Sequence, residues 1–201
     1  MLLTLTTTHQ PATDLGYLLH KHPAKVQTFK HNFGQSHVFY PETADNRCTA
    51  AFLVQLDPLK LTRRKGRGSG FALQPYVNDR PYVTSSFFSV ALGDVFRTAM
   101  NGVCKSHPEL AQTASPLEAT VAMVPCRGGA ALLGALFEPL GYVVEAERAV
   151  RDAQFPEWGN SVYHQLTLRG TVRLADLLSH LYVLLPVLDD DQHYWWRKEE
   201  V

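Results

Sequence analysis

VQTFKHNFGQSHVFY, residues 26–40, sets the architecture. Val26 to His31 and Ser36 to Tyr40 both carry β-branched and aromatic residues, and between them stands Asn32-Phe33-Gly34-Gln35, a turn-forming tetrad. Two strand-like runs joined by so short a link fold back as a hairpin, because a tight turn can close only an antiparallel pair. Thr49 to Leu56 then adds a nearly continuous apolar strand. Upstream, Leu2 to Thr8 reads as an opening strand. Pro11 to His22 sets Leu15, Leu18, Leu19 and His22 on one helical face, with Pro23 as the stop.

Downstream, Lys60 to Gly70 is basic and glycine-rich, with little to bury, which predicts a surface loop. Thr84 or Ser85 can cap a long helix running through Phe87, Val90, Ala91, Val95 and Met100 to Gly102. A polar link from Lys105 to Pro116 leads into a second series: strand Glu118 to Val124, helix Ala130 to Leu140, strand Tyr142 to Glu147, strand Tyr163 to Leu168 and a final helix from Leu174 to Leu188. Leu15-Gly16-Tyr17-Leu18-Leu19 parallels Leu133-Gly134-Ala135-Leu136-Phe137, each followed by a turn and a valine-bearing strand. The expectation is an α+β protein of mostly antiparallel sheets packed with helices, in two related lobes, 1–104 and 117–190, arising from an internal duplication.

Lys+Arg and Asp+Glu both total 19, so no net field draws in a polyanion, and avid nonspecific nucleic-acid binding is not expected. The three cysteines, Cys48, Cys104 and Cys126, lack CxxC spacing and read as reduced thiols of a cytoplasmic protein. The opening MLLTLTTTHQ has no basic n-region, and the apolar run from Leu177 to Leu188 is too short to span a bilayer, so neither an export signal nor a membrane segment is expected.

Several long segments carry a family signature. The opening MLLTLTTTHQPATDLGYLLHKHP, QPYVNDRPYVTSSF at 74–87, the Leu117-to-Tyr142 region with PCRGG and LFEPLGY, FPEWG at 155–159, and LTLRGTVRLADLLSHLYVLLPVLDDDQHYW resemble the amino-terminal domain of bacterial 3′-terminal RNA ribose 2′-O-methyltransferases. The resemblance covers nearly the whole chain. It implies a module without chemistry of its own, which binds and activates the RNA ligase of a bacterial polynucleotide kinase-phosphatase in an RNA-repair hetero-oligomer. It also implies that the S-adenosylmethionine-dependent methyl transfer resides in a separate carboxy-terminal domain, with residues 191–201 as the start of the linker to it.

The residues themselves give no catalytic pattern. Gly66-Arg67-Gly68-Ser69-Gly70 matches GxGxG, but no buried strand precedes it and Pro75 blocks a helix after it, so no nucleotide cofactor is expected in this chain. His20 and His22 are two apart, on different sides of a helix rather than converging on one ion. The side chains of Asp189-Asp190-Asp191 diverge in the same way, so no metal is expected. Lys30-His31-Asn32-Phe33 lacks the glycine of a ligase-type nucleophile motif, and nothing aligns Ser85 or Ser86 with His164 or His180.

If the function is binding, contact residues come from a few places. Arg63, Arg64, Lys65 and Arg67 can grip phosphates or an acidic face, or can simply solvate a loop. Arg127-Gly128-Gly129 at a helix start can hold an anion or a carboxylate, or make only a tight turn. Tyr194-Trp195-Trp196-Arg197 has the composition of an interface hot spot, although such residues also pack back on their own domain. Arg80, within Tyr76 to Tyr82, is a further candidate. The alternative to a ligase activator is an RNA-binding module that recruits cleaved ends, which requires the basic loop to bind RNA in a salt-sensitive manner.

Overall fold

The computed structural model describes residues 1–62, 81–151 and 154–188. Among these, β1 (Leu2–Thr7), β2 (Gln27–His31), β3 (Gly34–Ala44), β4 (Arg47–Leu56), β5 (Ser115–Pro125), β6 (Val143–Val150) and β7 (Asn160–Val172) form one sheet in the order β2-β3-β4-β1-β5-β7-β6. Every neighbouring pair is antiparallel, and β2 and β6 are the edges. The class is α+β, as the hairpin at residues 26–40 implies.

Strand alternation decides which side is buried. Leu3 of β1 stands opposite Phe52 of β4 and Val121 of β5, and Leu5 stands opposite Ala50 and Ala119. Both rows continue outward, Val121 meeting Leu166 and then Ala146, and Ala119 meeting Leu168 and then Val144. On this side lie α1 (Leu15–Leu18), α3 (Pro81–Met100), α5 (Gly129–Phe137) and α6 (Leu174–Val187), and their Leu15, Phe88, Leu92, Leu133, Phe137 and Leu178 belong to the same buried cluster as the strand residues. Phe52 centres it, its ring 5.5 Å from that of Phe88 and 5.1 Å from that of Phe96. Each large side chain so buried contributes roughly 1.5–3 kcal/mol.

The other face is threonine-rich. Thr6 and Thr49 share a hydroxyl hydrogen bond of 2.9 Å and Thr120 and Thr167 one of 3.1 Å, each across neighbouring strands. Beside them a charge ladder crosses the sheet: Arg47 pairs with Glu42 and Glu118, and Arg169 with Glu118 and Glu145.

Local departures from the sequence reading have identifiable causes. The helix expected over Pro11 to His22 reduces to a 3₁₀ turn at Ala12–Asp14 and the four residues of α1. His20 takes the left-handed conformation (φ 55°), its N–H bonded to Tyr17 O and the Lys21 N–H to Gly16 O. These two bonds form a Schellman cap, which ends the helix before Pro23 is reached. The long helix already includes Pro81, ahead of the cap expected at Thr84 or Ser85. The link from Lys105 to Pro116 holds a short helix, α4 (Pro108–Gln112), and α2 (Pro58–Thr62) follows β4.

Gly34 does not sit inside the turn as the tetrad suggests; it opens β3 opposite His31. A Cβ there would lie 2.1 Å from the Gln55 carbonyl oxygen, a backbone atom that cannot move aside. Gly34→Ala is therefore expected to destabilise the chain by about 1–3 kcal/mol through overpacking. Urea unfolding checks this as a lowered midpoint at unchanged slope.

Candidate interaction surface

At one end of the sheet the β5–α5 turn and the β6–β7 hairpin tip come together. The Cys126 N–H bonds Val162 O, tying the turn to β7, and the Gly129 N–H returns to Cys126 O. Gly129 has φ 65°, the left-handed value that glycine adopts without strain, and it lets the chain pass from strand to helix within three residues. Arg127 is exposed on this turn.

The described part of the hairpin tip forms an aromatic knob. Phe155 and Trp158 stack with ring centroids 4.7 Å apart and planes 14° from parallel, while remaining 42% and 56% exposed. Their geometry is set by a 3₁₀ turn, Pro156–Trp158, with the Trp158 N–H bonded to Phe155 O. The Arg151 N–H bonds Gly159 O across the hairpin, and Arg148 Nε donates to Ser161 O at 2.9 Å. Stacked aromatic rings combine large contact area with few rotatable bonds, so little entropy is lost when a partner covers them.

Beneath this end His164 of β7 faces Val124 and Arg148 on its neighbouring strands. The residue is 2% exposed, and its Nδ1 has no hydrogen-bond partner among the described residues. Burial, with a smaller push from the Arg148 charge, lowers its proton affinity below the ordinary histidine value. Cys126 is buried as well, and burial raises its thiol pKa against the opposing backbone bonds of Gly129 and Gly128.

Of the contact residues expected from sequence, Arg127 lies at this surface. Arg63, Arg64, Lys65, Arg67, Arg80, Tyr194, Trp195 and Trp196 lie outside the described residues, as does Asp189-Asp190-Asp191. His20 Nε2 bonds Val103 O, and His22 Nδ1 accepts from the Ala24 N–H. His180 Nδ1 meets the Tyr142 hydroxyl at 2.8 Å. No group of three potential metal ligands occurs among the described residues. Sequence reading missed Phe155 and Trp158 as contact candidates, although an aromatic pair beside Pro156 and Gly159 in a turn was a visible signal.

The architecture, a helix layer on one face of an antiparallel sheet, is shared with solved chains. A chain from the Pnkp1/Rnl/Hen1 RNA repair complex matches with a TM-score of 0.54 at 13% identity, over 96% of this chain and 44% of that one. A second Pnkp1/Rnl/Hen1 complex matches with a TM-score of 0.52, also at 13% identity, over 94% and 42%. This chain thus spans less than half the length of the chains it matches. No curated protein matches the sequence. Residues 1–201 match the family model described as the RNA repair, ligase-Pnkp-associating, region of Hen1, and the chain belongs to that family.

Burial of His164 makes this end of the sheet sensitive to acid. A histidine kept neutral in the fold but free to protonate when unfolded stabilises fully above its unfolded pKa, and that stability is lost as the pH falls towards the folded value. The melting temperature is expected to drop between pH 7.5 and 5, and His164→Leu to flatten part of that drop. An identical slope in the variant would refute the assignment.

Proposed function

We propose that this chain is the part of a longer RNA-repair protein that binds the RNA ligase of a bacterial polynucleotide kinase-phosphatase and raises its activity. The single observation that carries the reading is the family match over residues 1–201, whose description names association with ligase and Pnkp. The structural likeness to chains of Pnkp1/Rnl/Hen1 complexes supports a hetero-oligomer. The chain acts here as a binding partner without a cofactor of its own, and methyl transfer with S-adenosylmethionine belongs to another part of the longer protein. A reducing, cytoplasmic setting suits three free, buried cysteines. No described helix is long and apolar enough to cross a membrane.

Activation by binding requires the chain to favour one ligase conformation over another, because a partner with equal affinity for both shifts nothing. We assign the contact to the end of the sheet that carries Arg127, Phe155 and Trp158. Arg63, Arg64, Arg67, Arg80, Tyr194, Trp195 and Trp196 remain candidate contacts.

Co-purification with the ligase, followed by assays of ligase adenylylation and nick sealing, tests the reading. Stable association and faster sealing are the expected results; a folded chain that changes neither rate overturns it. Trp158→Ala should weaken association by about 2 kcal/mol or more, roughly thirtyfold, as truncation of an interface anchor does. Unchanged affinity in that variant would move the contact elsewhere.

A further inference from the structure

Away from the aromatic knob, a cleft of about 590 Å³ opens over the loop that follows α1. Its polar lining comes from Thr13, His20, Lys21, His22, Thr43 and Ser106, with no carboxylate among its described lining residues. Segments nearly a hundred residues apart thus converge on one concave, donor-rich surface, of a size usual for small-molecule sites. Tyr17 forms an aromatic wall: it is 55% exposed, and its ring is braced by His107 at 4.9 Å between centroids. The nearby Asp14 carboxylate lies 3.9 Å from His107 Nε2 and does not line the cleft.

The polar groups are held in place. Lys21 Nζ sits 5.3 Å from the Phe29 ring centroid and 5.5 Å from that of Phe96, and bonds His20 O at 3.4 Å. No ion pair neutralises it among the described residues, and burial lowers its proton affinity. A partly dehydrated ammonium with only ring faces and a carbonyl for company gains from an incoming anion. His20 Nε2 donates to Val103 O at 2.7 Å, fixing its ring despite the rare backbone conformation. Because His22 Nδ1 accepts from the Ala24 N–H, its proton resides on Nε2, which remains a donor. Gly16 permits the whole arrangement, since a Cβ there would stand 2.8 Å from Pro23 Cγ and push the loop away.

We propose that this cleft binds a phosphorylated nucleoside, its phosphate on Lys21 and His22 and its base against Tyr17. A positive, carboxylate-free lining selects the phosphate, while an exposed, braced ring offers the stacking face that a bare inorganic anion would not need. The site is separate from the ligase contact and does not depend on it.

Calorimetric titration of the 201-residue chain tests it with inorganic phosphate, adenosine and adenosine 5′-monophosphate. The monophosphate should bind at least roughly tenfold more tightly than either half alone. Lys21→Met, which keeps the stem over the two rings, and Tyr17→Ala, which alters an exposed side chain, should each weaken binding by about tenfold. Should Lys21→Met lower the melting temperature substantially, Tyr17→Ala decides alone. Two RNA hexamers, with and without a 5′-phosphate, distinguish the sources: preference for the phosphorylated hexamer identifies an RNA end, and binding confined to the monophosphate identifies a free nucleotide, either result supporting the site. Absence of binding at millimolar monophosphate, or binding undiminished in Tyr17→Ala, overturns it.

Discussion

Everything in this fold hangs on the pairing of β1 with strands on both of its sides. Leu3 and Leu5 are fully buried only because β4 and β5 flank them in register, with Phe52 and Ala50 on one side and Val121 and Ala119 on the other. A slip of one residue in either pairing would turn those leucines towards the threonine face and lift the apolar rows off the helices. The register that aligns the core also aligns Thr6 with Thr49, so the hydroxyl pairs of the open face and the buried rows beneath it are specified together.

The helix layer then converts this rigid sheet into a scaffold with two differently equipped regions. One is the end where β5 gives way to α5 and the β6–β7 hairpin projects its stacked rings, a convex feature suited to a pocket on a protein. The other is the cleft over α1, concave and lined by donors. Hydrogen bonds hold the described residues of both, Arg151 to Gly159 at the hairpin and His20 to Val103 at the cleft.

Much of the fold was legible in the sequence because its signals are local. The hairpin at residues 26–40, the long helix ending at Met100 and the helix beginning at Leu174 follow from periodicity and flanking residues. The helix before Pro23 was overestimated, since a histidine rather than a glycine occupies the left-handed cap at position 20, and nothing in its residue type announces that conformation. The contact surface was the least legible part. Arg127 was visible as a motif beside two glycines, but the tie of the preceding Cys126 to Val162 depends on β5 pairing with β7, which no local pattern specifies. The cleft was hidden for the same reason: His20 and His22 invite a metal test by spacing alone, whereas Thr43 and Ser106 join them only through tertiary folding.

Among the described residues this antiparallel sheet ends in two edges, β2 and β6, each a template for another strand. β2 is five residues long and carries Lys30, while β6 carries Glu145, Glu147 and Arg148 along its length. A strand docking against either edge would have to bring those charges out of water or set them against its own, so edge-to-edge growth into filaments is resisted by the chain's composition. The molecule can therefore keep an aromatic knob on display beside an open strand at high concentration, leaving shape-specific capture by a partner as the favoured way to cover it.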